Sequence, residues 1–316
     1  MEGEARVMTV LGPVRPEALG KTTMHEHVIA DCSFSGNSLL KKIGEEDGVL
    51  DDLVELRRAG GKTLVELSCQ GLSGDAAALQ RLSRGSRVNI IASTGYYREI
   101  AYPEYVFRES ADELAKRLTD DAENGIGETG VRPGMLGEFA SHDDGEPGEH
   151  VEKVFQAASR AHLATGLPIT THCWAGRGAE WEIGILKDEG VDQGKVIIGH
   201  VGANQPEMEN ARWILDQGVN VSVDCIGYDE RDGWRDFGDP ERAALIKRFI
   251  EWGHLGQIVV GRDMMRKYHL RKHGGGGYAY LFNSFVDTMR EAGITEAQVE
   301  AILVGNPRRI LTCGRT

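Results

Sequence analysis

Lys195-Val196-Ile197-Ile198-Gly199-His200 decides how this chain is read. Its apolar run is β-branched and shows no polar alternation, which marks a strand buried on both faces of a parallel sheet rather than one with a wet side. Working outward, Ile258-Val259-Val260-Gly261-Arg262-Asp263 repeats the pattern, and Pro168-Ile169-Thr170-Thr171-His172 ends in the same way. Comparable short runs at residues 24–29, 63–67, 89–93, 134–139 and 219–223 complete a set of eight with 168–171, 195–199 and 257–261. Amphipathic stretches lie between them. Residues 152–165 place Val154, Phe155, Ala158, Ala161, His162 and Thr165 at helical spacing, then stop at Gly166-Leu167-Pro168. Residues 206–217 and 240–252 each open near a proline and end at Gly218 or Gly253.

Strands alternating with helices predict an α/β fold, a (β/α)8 TIM barrel formed as one domain over residues 1–316. The rival is a doubly wound open sheet, which would carry a Gly-x-Gly-x-x-Gly turn after its first strand. None is there. Residues 8–14 are expected to form a hairpin under the barrel, and 295–303, capped by Thr295, its last helix. Residues 142–149 read as a surface loop after strand four.

Composition narrows the function. Acidic residues number 49 against 36 basic, a net charge of −13, which argues against nucleic acid as a partner. No apolar run nears the roughly 18 residues that would span a bilayer, so no membrane partner is expected. The start, Met1-Glu2-Gly3-Glu4-Ala5-Arg6, has no basic and apolar leader, and a cytoplasmic protein is expected. Five cysteines without a Cys-x-x-Cys pair read as buried free thiols.

The chemistry sits at the strand ends. His25 and His27, spaced i and i+2 in the first strand, point to one face. Glu138 ends the fourth strand, His172 the fifth and His200 the sixth, and Asp263 follows the eighth. A barrel brings these ends to one mouth, where four imidazoles and two carboxylates suit divalent first-row metals. That is more than one ion's complement, so two ions bridged by a carboxylate and a hydroxide are expected. A single histidine at a strand end is more often a hydrogen-bonded polar residue than a ligand. The coincidence across five strands favours the metal. His142, His150, His162, His254, His269 and His273 read as solvated or structural, with the last two bordering the mouth.

The order of motifs resembles a known family. Thr9-Val10-Leu11-Gly12-Pro13-Val14 and Leu19-Gly20-Lys21-Thr22-Thr23-Met24-His25-Glu26-His27 look like the opening of the phosphotriesterase-like branch of the amidohydrolase superfamily. The likeness continues through Thr170-Thr171-His172, Ile198-Gly199-His200 and Gly261-Arg262-Asp263 to Gly305-Asn306-Pro307. It implies that His25, His27 and Asp263 hold a buried ion, and His172 and His200 a more exposed one. Many members bridge the ions with a carboxylated lysine. Here Gly134-Met135-Leu136-Gly137-Glu138 has no lysine, so Glu138 is expected to bridge, or else to stand behind the ligands as a hydrogen-bond acceptor.

The resemblance further implies a hydrolase of lactones or related carboxylic esters, with phosphotriester and amide hydrolysis as alternatives. Asp263 would accept the proton from a metal-bridging hydroxide, and two Zn2+ ions, or Mn2+, Co2+ or Fe2+, would serve. From another class, an inactive metal-holding binding protein would show loss of Asp263, which is present. Tyr97 matches a tyrosine that similar enzymes place near the lactone oxygen, and plain packing explains it equally well. Cys225 stands where lactonases carry an arginine, which weakens specificity for acyl-homoserine lactones. Arg266, Lys267, Arg271 and Lys272 follow Asp263 in a glycine-rich stretch, either to draw an anionic substrate group or as a solvated loop. The expected partner is a small ester or lactone, and similar proteins imply a homodimer.

Overall fold

The structure, a computed structural model, describes residues 5–35, 41–141, 147–233 and 236–313. Its centre is a sheet of eight parallel strands: β1 Lys21–Glu26, β2 Gly61–Glu66, β3 Asn89–Thr94, β4 Met135–Ala140, β5 Ile169–His172, β6 Val196–Gly199, β7 Asn220–Val223 and β8 Ile258–Val260. A helix follows each strand in turn: α1 Val49–Arg58, α2 Ala76–Ser86, α3 Ala111–Asn124, α4 Glu149–Thr165, α5 Ala179–Asp188, α6 Met208–Asp216, α7 Asp239–Glu251 and α8 Val286–Glu291. Strand order around the sheet is chain order. This is the expected (β/α)8 barrel.

Closure brings β8 back to β1. The Asp263 amide donates to the His25 carbonyl at 2.9 Å. The buried Glu26 carboxylate accepts from the amides of Arg262, at 2.9 Å, and Met264, at 3.3 Å. Gly261 makes this approach possible, because a Cβ there would lie 2.6 Å from both the carbonyl oxygen and the Cβ of His25. One charged residue therefore joins the two ends of the sheet beside the site.

Seven strands fall within two residues of their expected bounds. The first starts at Lys21 rather than 24 and ends at Glu26, leaving His27 just beyond it. Polar Thr22 and Thr23 extend it, buried at no cost because each hydroxyl finds an acceptor: the Gly20 carbonyl at 3.0 Å and Glu26 Oε1 at 2.5 Å. The expected hairpin pairs Val7–Thr9 with Gly12–Val14, and Val7 and Val14 pack on Leu19, Met24, Met135 and Val259 inside the barrel floor.

Thr295 caps α9 (Glu296–Glu300) as expected, its hydroxyl accepting from the Gln298 amide. The helix does not stop at 303. It runs through a π-wound turn, Ala301–Gly305, into α10 (Asn306–Leu311), with Pro307 just past the π-wound turn. Residues 142–146, and His142 with them, lie outside the described residues. Among the described residues no helix is long and apolar enough to cross a membrane.

Candidate active site

The six expected ligands converge at the carboxyl ends of the strands. Glu138 Oε1 is the centre. It lies 2.9 Å from His172 Nδ1, 2.9 Å from His200 Nε2 and 3.5 Å from His25 Nε2. Asp263 Oδ1 stands on the other side, 3.2 Å from His27 Nε2 and 3.7 Å from His25 Nε2. All six side chains are buried. Among the described residues four overlapping triads result; Glu138 is shared by His25–His27–Glu138 and Glu138–His172–His200, and His200 also joins His25–His200–Asp224 and His200–Cys225–Asp263.

Local backbone aims these groups. His200 directly follows β6, Cys225 lies two residues past β7 and Asp263 three past β8, and each has a positive φ, at 57°, 55° and 52°. Left-handed backbone in non-glycine residues is strained, and strain of this kind gathers where function requires a particular direction. Here it turns side chains from consecutive strands inward at one level.

Each imidazole shows one nitrogen to the cluster and the other to a partner behind it. His200 Nδ1 meets Asp224 Oδ1 at 2.9 Å, His25 Nδ1 lies 3.3 Å from Asp224 Oδ2, and His27 Nδ1 meets Ser68 Oγ at 3.0 Å. His172 Nε2 meets Arg98 Nη2 at 2.5 Å. Yet neither ring nitrogen of the wholly buried His25 makes a hydrogen bond. An orphaned imidazole ringed by carboxylates, each ring already oriented from outside, is what a borderline divalent ion requires of its ligands. The residues fit a metal centre.

Electrostatics agree with the geometry. Burial works against charge on His25, but Glu138 and Asp224 outweigh it and raise the pKa to about 10. His200 is raised well above its ordinary value, because Asp224 and Glu138 overcome the same burial. His172 goes the other way, to about 4, through burial and then the charge of His200. Against burial, the imidazoles of His25 and His172 hold Glu138 far below the usual carboxylate range. The cluster is a set of anions and cations in balance, which bound cations would share out anew.

Residues 5–311 match the model of the phosphotriesterase family. The chain belongs to that family. The phosphotriesterase homology protein of Escherichia coli K12 is 30% identical over 289 residues, covering 91% of this chain and 96% of its own. The N-acetyltaurine hydrolase of Salmo salar is 27% identical, with coverage of 97% and 98%. Among solved structures, a resiniferatoxin-binding protein from Rhodobacter sphaeroides superposes with a TM-score of 0.91 at 28% identity, covering 97% of this chain and 94% of that one. As a member of the phosphotriesterase family the chain is a metal-dependent hydrolase.

Within this family member, Tyr97 lies beside the cluster and also packs with Cys32, Cys69, Leu72 and Ala140. It is buried, its ring meets His172 edge-on at 5.2 Å, and its hydroxyl lies 3.4 Å from His172 Nδ1. The cations after Asp263 are a correction. They do not face the mouth as free charges: Lys267 pairs with Asp47 at 2.9 Å, Arg266 with Asp232 at 3.1 Å and Arg271 with Glu55 at 3.6 Å. Nor is the stretch a merely solvated loop, for Tyr278 is buried and donates to the His27 carbonyl at 2.8 Å. The stretch packs down on the first βα loop and α1 and holds His27 from behind. His269 is likewise structural, buried and 3.0 Å from Asp232.

Four functional neighbours were missed. Asp224 directly follows β7, so the strand-end rule that found His200 applies to it equally. Ser68, Arg98 and Tyr228 lie in loops and carry no such signal. Tyr228 donates to the Asp263 backbone carbonyl with its hydroxyl 3.2 Å from Asp263 Oδ2, and the Cys225 thiol approaches that oxygen at 3.5 Å. Asp224→Asn is expected to weaken metal binding about 10–100-fold, since it orients two imidazoles at once. Titration of the metal-free variant against a chelator of known affinity reads this directly, and unchanged affinity would remove Asp224 from its role.

Proposed function

We propose that the chain hydrolyses a lactone or related carboxylic ester at a centre of two divalent ions, Zn2+ in first place. His25, His27, Glu138 and Asp263 would hold one ion, and Glu138, His172 and His200 the other. The observation that carries this reading is the position of Glu138 Oε1, shared by two of the triads in a chain that has no lysine at the end of β4. Bound ions would supply a water acidic enough to ionise near neutral pH and a Lewis acid for the substrate carbonyl.

The side chains do the rest. Asp263 takes the proton of the attacking water at Oδ1, the oxygen turned toward His25 and His27, while the Cys225 thiol donates to Oδ2 and Tyr228 holds the Asp263 backbone carbonyl. Water oxygen joins the acyl carbon, the acyl–oxygen bond breaks, and the departing alkoxide recovers a proton. Tyr97 presents its hydroxyl beside His172, where it would meet the ester oxygens. Burial of the cluster keeps bulk water from competing.

Amide hydrolysis is the second reading, favoured by the full-length likeness to N-acetyltaurine hydrolases. Phosphotriesters are a side reaction the same groups would serve. A role in binding alone, as the name of the Rhodobacter sphaeroides relative reads, leaves the placement of Asp263 without purpose. Proton release from metal-reconstituted protein, offered lactones, esters, amides and phosphotriesters in parallel, tests the order. Turnover led by lactones or esters is expected, and turnover confined to amides or phosphotriesters would replace the first reading.

A further inference from the structure

Tyr228 holds the backbone carbonyl of Asp263 with its hydroxyl, and what holds Tyr228 lies further out. Its ring is buried and lies against the His269 ring, with centroids 4.5 Å apart and planes tilted by 38°. His269 belongs to the segment after β8, and that segment is built to fix it. The Gly277 amide donates to the His269 carbonyl at 2.9 Å. Gly275 passes the same carbonyl so closely that a Cβ there would lie 2.1 Å from its oxygen. Two glycines of the run after Asp263 thus serve this one residue.

The His269 ring also meets Asp232, in the loop after β7. Asp232 Oδ1 accepts from Tyr268 Oη at 2.6 Å, His269 Nε2 at 3.0 Å and Arg266 Nη1 at 3.1 Å, while Oδ2 accepts from the Asp229 amide at 3.1 Å. Burial opposes the Asp232 charge, but His269 and then Tyr268 outweigh it and bring the pKa down to about 2. An ionised carboxylate only accepts, so His269 donates from Nε2. Its Nδ1 is buried too and makes no hydrogen bond. A buried ring nitrogen left unpaired is costly, and a ring free to turn would not keep it so. The bond to Asp232 and the contact with Tyr228 therefore set the orientation of His269 against that cost.

We infer that Asp232 and His269 are positioning residues for Asp263, acting through Tyr228. Asp232 sets the His269 ring, the ring sets Tyr228, and Tyr228 holds Asp263 where it takes the proton. Asp263 keeps a strained φ of 52°, so its direction depends on a hold from outside. This rests on the proton-acceptor reading of Asp263 above and adds the residues that aim it.

The test compares metal-loaded wild type, Asp232→Ala, Asp232→Asn, His269→Ala, Tyr228→Phe and the double variant of the last two, with metal content and circular dichroism taken for each. On the best substrate of the panel, kcat is expected to fall about 10–100-fold in Asp232→Ala and His269→Ala with KM little changed, the effect of a slightly misplaced reacting group. Asp232→Asn keeps an oxygen for the three donors and is expected to restore most of kcat. Added to Tyr228→Phe, His269→Ala is expected to cost no more than about a further twofold, because both remove the same hold. His269→Phe, which keeps a ring and loses the bond, takes the place of His269→Ala if that variant does not fold. Losses that multiply, that fall on KM alone or that track metal content would make the pair plain framework and overturn the inference. Asp263→Asn, run in parallel, keeps the two readings apart. Undiminished turnover there fails the proton acceptor itself, whereas lost turnover there beside wild-type rates in Asp232→Ala and His269→Ala fails the positioning alone. Should no substrate turn over, the visible absorption of Co2+-loaded protein still decides. His269→Ala and Tyr228→Phe are expected to shift it alike and, combined, no further, and a spectrum unmoved by His269→Ala refutes the inference.

Discussion

Asp263→Asn is expected to lower kcat about 10²–10⁴-fold, the usual span for loss of a positioned proton acceptor. Asparagine has the same shape, the Cys225 thiol remains beside one of its terminal atoms, and Tyr228 still donates to the backbone carbonyl of residue 263. What is lost is the charge at Oδ1, 3.2 Å from His27 Nε2 and 3.7 Å from His25 Nε2. An amide neither ionises nor accepts a proton at neutral pH. The measurement is steady-state turnover on the best substrate of the panel, with metal content and circular dichroism taken on the same preparation. A fall in kcat with ions still bound assigns Asp263 to proton transfer. A fall that merely follows lost metal assigns it to coordination alone, and undiminished turnover would sink both roles.

Most of the barrel was legible because its strands are buried on both faces, and continuous β-branched runs have few other readings. The site was legible for a related reason. Strand ends in a closed parallel barrel share one mouth, so His172, His200 and Asp263 announce their neighbourhood by position alone. Reading failed where partners come from distant loops. Lys267 looked like a free cation because Asp47, its partner, lies 220 residues away in the chain. Ser68 behind His27 and Arg98 behind His172 are hidden in the same manner, since nothing local says which side chain a loop will deliver. Thr22 and Thr23 lay outside the apolar run at 24–29, and their buried, satisfied hydroxyls extend the strand over them.

Glu138→Gln is expected to cost the centre at least one of the two ions proposed for it, weakening the more loosely held one about 100-fold or more, beyond the 10–100-fold typical of partners behind the ligands. Among the described residues, Glu138 is the one carboxylate found in two of the four triads. Its Oε1 lies within 2.9 Å of His172 and His200 and 3.5 Å from His25, so its charge falls between the two positions rather than beside one. Glutamine keeps the volume and one oxygen but none of the charge, and its amide hydrogens would face imidazole nitrogens that must lend lone pairs. Two cations held close together repel, and an anion between them offsets that repulsion far better than a dipole does. Elemental analysis after dialysis, followed by competition with a chelator, separates the outcomes. One ion remaining with weakened affinity for the second supports the bridge. Full occupancy at wild-type affinity would move Glu138 behind the ligands, as a hydrogen-bond acceptor for His172 and His200, and leave the pair of ions without a bridging side chain.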